Sequence, residues 1–290
     1  MAITENRRAR KFLAVALILI PMFFAGAGIE NVAIIPFPQK AKAVQALNIK
    51  AACHTQGIAF FENYFYLSCV GKQEKKAWIY RVPREELGKN SAAAVQFEKL
   101  DVTEGDEYHP SGLDIHGACL WVAVAEYHPA PARSTFKCID LKTFQPKPEL
   151  AFTIDDHIGT IGAAENWIMG INWDAKIFYI LDYSGRLKLQ GANPGQASYQ
   201  DCKHYQNNLV LCSGLAGKIP TKGYLDMLEL NDSDSGSWKL IKRSMAANPK
   251  GKFLSVANEG MTFNGKDIYF VPDDLPGATI YEFEFLRFFD

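Results

Sequence analysis

Three histidines recur at one position of a spaced pattern. His54 and His109 each stand three residues before a glycine (Gly57, Gly112), and His157 stands three before Thr160. Near neutral pH an imidazole can accept or donate a proton or ligate a metal, so three of them on matched positions are the first candidates for chemistry. His54, His109 and His157 are therefore the catalytic candidates. Gln56, Ser111, Gln200 and Glu259 lie just before the same landmarks, while Glu126, Asn172, Asp174, Asp273 and Asp274 close later apolar runs. If the fold gathers these positions, Gln56, Ser111, Gln200, Glu126 and Asp174 would bind a polar ligand. The bland reading is turn chemistry, since a His or Ser ahead of a Gly can cap a turn and Asp273-Asp274 before Leu275-Pro276-Gly277 can be a solvated bend.

The elements that would gather them are legible as a repeat. Five segments align at Gly57, Gly112, Thr160, Asp201 and Gly260, spaced by 55, 48, 41 and 59 residues. Eight residues beyond each landmark an apolar run begins: Phe65-Tyr-Leu, Leu120-Trp-Val, Ile168-Met, Leu209-Val-Leu and Ile268-Tyr-Phe. The turns between are Glu62-Asn63, His116-Gly117, Glu165-Asn166, Asn207-Asn208 and Asn264-Gly265, rich in the residues that tolerate positive φ. Third strands are expected at 77–82, 135–141, 177–181, 224–230 and 279–285. Outer strands are expected at 94–100, 149–154, 186–189 and 238–242. Short strands repeated at about this period are the mark of propeller blades. The fold class is thus all-β, a β-propeller of five four-stranded antiparallel blades.

The fifth repeat lacks an outer strand, and Ala43-Val-Gln-Ala-Leu-Asn-Ile, ahead of the first repeat, alternates as a strand should. It would close the ring and cover an edge. Six blades is the alternative, should residues 30–50 form more than a closing strand. Arg84 to Leu87 is the one short helical turn expected. In such a blade the entry to the first strand and the link from second to third share one face, which places the histidines around the channel.

The 290 residues carry 31 Lys+Arg against 32 Asp+Glu, a net charge of −1, with a pI near 6.6. That balance offers no basic footprint for nucleic acid. Residues 5–28 pass from Arg7, Arg8, Arg10 and Lys11 through an apolar run to Ala25-Gly-Ala-Gly, the pattern of a secretory signal peptide cleaved after Ala27. An uncleaved anchor is the alternative, and the only expected membrane contact. Residues 28–290 would form the propeller, in the periplasm or outside the cell. Removing 1–27 leaves 27 Lys+Arg against 31 Asp+Glu, a charge of −4. Cys53/Cys69, Cys119/Cys138 and Cys202/Cys212 each straddle a turn, so hairpin disulfides are expected, with buried thiols as the alternative. Trp121, Trp167, Trp173, Tyr66 and Tyr269 are expected to pack between blades.

No Gly-x-Ser-x-Gly, Walker loop, His-Glu-x-x-His or Cys-x-x-Cys is present, which argues against serine hydrolase, NTPase, metalloprotease and structural-zinc readings. Glu259-Gly-Met-Thr-Phe and His109-Pro-Ser-Gly-Leu-Asp resemble the lactonase-type propellers of the senescence-marker and strictosidine-synthase-like groups. That resemblance implies a metal-binding carboxylate at Glu259, with Asn172 or Asp273 as companions, for a divalent cation such as Ca or Zn. Those families usually have six blades and Asn or Asp where His54, His109 and His157 stand here. His54-Thr-Gln-Gly, Trp121-Val-Ala-Val-Ala-Glu-Tyr and Asp156-His-Ile-Gly-Thr-Ile, together with the His109 segment, resemble over most of the chain a family of uncharacterised propeller-like domains. It implies the fold and no reaction. Two functions follow: an exported propeller binding a small molecule or protein on its histidine face, and a metal-dependent hydrolase of a small ester or lactone.

Overall fold

Each repeat folds as one twisted antiparallel sheet because its apolar runs alternate with turns that only a hairpin can use. A computed structural model describes residues 32–38, 40–89, 95–127, 132–217, 222–231, 237–248 and 255–284. Two short strands come first, β1 (Ala33–Ile35) and β2 (Ala43–Ala46). Blade 1 follows as β3 (His54–Phe61), β4 (Tyr64–Gly71), β5 (Lys76–Pro83) and β6 (Glu98–Asp101). Blade 2 is β7 (Glu107–His116), β8 (Cys119–Glu126), β9 (Ser134–Asp140) and β10 (Phe152–Ile154). Blade 3 is β11 (Ile158–Ala163), β12 (Ile168–Asn172), β13 (Ile177–Leu181) and β14 (Leu187–Ala192). Blade 4 is β15 (Ser198–Gln206), β16 (Leu209–Ala216), β17 (Lys222–Asn231) and β18 (Ser237–Met245). Blade 5 is β19 (Gly260–Phe263), β20 (Asp267–Val271) and β21 (Thr279–Glu284), with β2 as its outer strand.

The molecule is therefore a five-bladed propeller closed as expected: β2 runs antiparallel to β21, with Ala43 opposite Glu282 and Ala46 opposite Thr279. Sequence reasoning missed β1. It pairs parallel with β18, giving blade 4 a fifth strand, and its Ile34 is largely exposed, so no apolar alternation announced it. The expected outer strand at 149–154 also shortens, because Pro148–Leu150 turns as a 3-10 helix before β10 begins. That at 94–100 is reduced to β6, and Ala94 lies outside the described residues. A 3-10 turn does occupy Arg84–Glu86. The proposed signal peptide likewise lies outside the described residues. Among the described residues no helix is long and apolar enough to cross a membrane.

Between blades the apolar faces meet in clusters. Phe65, Leu67 and Tyr80 of blade 1 join Tyr269 and Ile280 of blade 5, Leu47 beyond β2 and Leu275; Tyr66 and Ile79 of blade 1 pack against Leu120 and Val122 of blade 2. Three disulfides staple the blades: Cys53–Cys69, Cys119–Cys138 and Cys202–Cys212, with Cα separations of 5.7, 5.2 and 4.1 Å. Only the last pair sits directly opposite in register. Cys69 faces Thr55 and Cys138 faces Trp121, so the other two bonds cross a sheet diagonally. Three disulfides accord with an oxidising environment.

Candidate functional site at the upper mouth of the channel

All five first strands run in the same sense beside the axis, and the end where they begin is here termed upper. The repeat landmarks prove to be the waist of this channel. A Cβ on Gly57 would lie 2.6 Å from the Cα of Gly112, and one on Gly260 would lie 2.8 Å from Ile58 N, so neighbouring first strands touch through glycine backbone. Thr160 and Asp201 hold the two remaining landmark positions. Asp201 is fully buried and fills the space the glycines leave: its Oδ2 accepts from Ile58 N of blade 1 (3.1 Å) and Met261 N of blade 5 (3.0 Å), and its Oδ1 accepts from Lys203 Nζ. One carboxylate thus ties three blades. Burial pushes its pKa up to about 6, against the opposing pull of Lys203.

Asp114, a little below the waist, links blades in the same way. Its Oδ2 accepts from Ala163 N of blade 3 (2.7 Å) and His204 N of blade 4 (2.8 Å), while Oδ1 accepts from Ile115 N. Sequence reasoning used Asp201 only to align the repeats and passed over Asp114 and Lys203. The available signal was a single acidic side chain at a landmark where three repeats carry glycine.

Above this plug the first-strand entries form a cup. His109 of blade 2 and His157 of blade 3 meet inside it, His157 Nε2 lying 3.1 Å from His109 Nδ1 with ring centroids 4.8 Å apart. Both side chains are buried, and desolvation drives His109 down to about 3, helped by the nearby His157, His54 and Lys72, and His157 down to about 4, opposed by Asp156. The pair is therefore neutral at pH 7. Two neutral imidazoles sharing one N–H···N bond leave each ring one further nitrogen, and the tautomer of one dictates that of the other. His157 Nδ1 is buried with no hydrogen-bond partner.

His54, at the start of blade 1, is part-exposed and its Nδ1 lies 2.7 Å from Asp274 Oδ1 on the link from β20 to β21. Asp274 also accepts from Thr55 N at 3.2 Å. Burial would raise its pKa, but His54 and that amide bring it below the usual range. Glu259, buried at 8% exposure, is held well above the carboxylate range by desolvation, reinforced by Asp274 and opposed by Lys72. Its Oε1 accepts from Asn258 Nδ2. Two aromatic rings flank the imidazoles: Tyr127 lies 5.4 Å from His109, and Trp173 lies 6.0 Å from His157 with 57% of its surface exposed. Trp121, Tyr66 and Tyr269 are buried between blades as expected and Trp167 packs part-buried against the blade 3–4 core, whereas Trp173 stands at the mouth.

The other candidates are spread out. Ser111 is buried with its Oγ donating to Gly112 O and accepting from Ala123 N, and Gln56 donates to Thr55 O. Gln200 is half-buried and reaches only Ser198 O at 3.4 Å. Glu126 is half-buried opposite Glu107, and Asp174 is exposed and paired with Lys176 at 2.7 Å. Of the proposed metal ligands, Asn172 spends its Oδ1 capping Lys176 N and Ile177 N, and Asp273 gives its carbonyl to Thr55 Oγ1. Among the described residues no three His, Cys, Asp or Glu side chains gather around one cation position.

Residues 14–287 match the model of a family described as a family of unknown function, DUF6454. No curated relative matches the chain. Among solved structures, a glutaminyl cyclase from Myxococcus xanthus superposes with a TM-score of 0.53 at 11% identity, over 87% of this chain and 97% of that one. A virginiamycin B lyase from Staphylococcus aureus gives 0.45 at 12% identity, covering 84% and 99%, and a streptogramin B lyase gives 0.44 at 10%, covering 82% and 96%. The first likeness bears out the propeller fold, and at that identity it bears on fold alone.

Proposed function

We propose, from the premise that the chain belongs to this family of unknown function, that the protein is an exported propeller whose upper cup binds a small polar ligand of low net charge. The observation that carries this reading is the buried His109–His157 pair. An unpartnered polar nitrogen in such a place costs about 1–3 kcal/mol, and a ligand that hydrogen-bonds to it recovers that cost. The neutral imidazoles offer donors and acceptors without fixed charge, burial pushes the Glu259 carboxyl upward, and Trp173 and Tyr127 supply flat apolar walls. Export rests on the three disulfides and on the basic, apolar and small-residue order of residues 5–28.

The test is a thermal-shift and calorimetric screen of small amides, polyols and lactones, with Ca and Zn in separate wells. A compound that stabilises the wild type and loses at least tenfold in affinity in both His157→Gln and His109→Gln would support the reading. Absence of any hit at millimolar concentration, or hits indifferent to both substitutions, would overturn it. Stoichiometric metal retained by purified protein and lost in Glu259→Gln would instead favour the metal-dependent hydrolase. N-terminal sequencing of the protein recovered outside the cytoplasm checks cleavage after Ala27.

A further inference from the structure

The channel has a second opening. Below the waist, first-strand residues of four blades line an open pocket of about 210 Å³, smaller than the ~300 Å³ of a drug-sized site. Its lining follows from strand alternation: Ala59, Asp114, Lys203 and Thr262 stand two residues beyond the landmarks, on the same face of their strands as the waist. Phe60 and Phe263, one residue further, are half-buried at its side. The waist of glycine backbone and Asp201 separates this space from the histidine cup.

Its polar groups are of opposite kinds. Lys203, 3% exposed, has an ammonium with three N–H donors, of which Asp201 Oδ1 and Cys202 O take two. Asp114, 5% exposed, has two carboxylate oxygens with about four acceptor positions, of which three backbone N–H groups take three. One donor position on Lys203 and one acceptor position on Asp114 are therefore left at a pocket whose other walls are Phe60, Phe263, Ile115, His204 and the methyl groups of Ala59 and Thr262. Buried charged groups are held this way only at some cost in desolvation, and a ligand bearing the complementary pair recovers some of it.

We infer that the lower cavity binds a small free α-amino acid, its carboxylate on Lys203 Nζ, its ammonium on Asp114 and its side chain against Phe60 and Phe263. The site is independent of the histidine cup, so either can fail without the other. The experiment is isothermal titration of the full-length protein with L-alanine, L-valine and L-leucine, each beside its methyl ester and its N-acetyl derivative. The free amino acids bind, and blocking either end weakens binding at least tenfold. Ala59→Leu, which adds bulk to the pocket lining, abolishes binding. His157→Gln leaves it unchanged. Should Ala59→Leu fail to fold, Thr262→Val, which removes a lining hydroxyl at constant volume, weakens binding severalfold. No saturable binding of any free amino acid up to ~10 mM, or equal binding of the blocked forms, overturns the inference.

Discussion

Two kinds of buried titratable group face the axis, and they respond to acid in opposite senses. His109 and His157 have folded pKa values of about 3 and about 4, below the 6.5 of a free imidazole. Between pH 6.5 and 4 the unfolded chain binds protons that the folded pair refuses, so stability present above pH 6.5 is lost as pH falls. Asp201 is raised from 3.8 to about 6, so the folded state holds its proton more tightly; that contribution is fully present below pH 4 and lost as pH rises through 6. Urea denaturation from pH 4 to 7 separates the two. His157→Gln flattens the acid-side loss, whereas Asp201→Asn steepens it, and identical profiles for all three proteins would remove the cup's buried imidazoles and the Asp201 keystone alike. At pH 7 Asp201→Ala costs about 3–5 kcal/mol, because it strands Lys203 and leaves two buried amides without acceptors. The histidines were legible from spacing, since a repeat puts like residues on one face. Asp201 was not legible as a keystone, because its role depends on the room that Gly57, Gly112 and Gly260 vacate on other blades.

At the scale of strands and turns, the same glycine has different meanings at different places. Gly117 and Gly265 are hairpin residues with φ of +58° and +85° and open space around them, so an alanine there costs about 1 kcal/mol of backbone strain. Gly112 has ordinary φ, yet a Cβ would overlap Asp201 Oδ1 and lie 2.8 Å from Thr160 Oγ1. Gly112→Ala should therefore cost at least about 2 kcal/mol more than Gly117→Ala in a chemical melt, and parity between them would mean the waist is not packed as described. Turn chemistry made the hairpins readable: Glu62 and Asn207 take φ of +52° and +48° in the two turns placed to the residue. It could not reveal that the landmark glycines serve the axis, since in sequence a close-approach glycine looks like a turn glycine. The disulfides show the same limit. Symmetric spacing about a turn identified all three partners, but register shifts near Thr55 and the β8–β9 offset decided which bonds run diagonally. Replacing Cys202 and Cys212 together, a pair closing 10 residues, should cost about 3 kcal/mol by the loop-entropy relation.

For the whole ring, the decisive contact is between segments more than 200 residues apart. β2 completes blade 5 through β21, Lys42 N donates to Glu282 O, and Lys42 Nζ bridges Asp267 and Glu282 at 2.9 and 3.0 Å. Just beyond β2, Leu47 and Ile49 are buried in the cluster that joins blade 5 to blade 1. This closure was readable because the fifth repeat ran short of an outer strand and one alternating segment remained; β1 was not, because an exposed three-residue strand carries no pattern. An open stack of repeats can lose its end units one at a time. A ring cannot, because each blade packs on two neighbours and releasing β2 frees both an edge and an inter-blade seam. Calorimetry should therefore show one transition, with Leu47→Ala lowering stability by about 2–5 kcal/mol while Ile34→Ala, on exposed β1, stays within about 0.5 kcal/mol. Deleting residues 1–50 should abolish that cooperative transition and promote association through the bared edge of β21. If the deleted protein instead keeps its melting temperature and remains monomeric in light scattering, the ring does not depend on its strand closure, and blades 1 and 5 hold together through side-chain packing alone.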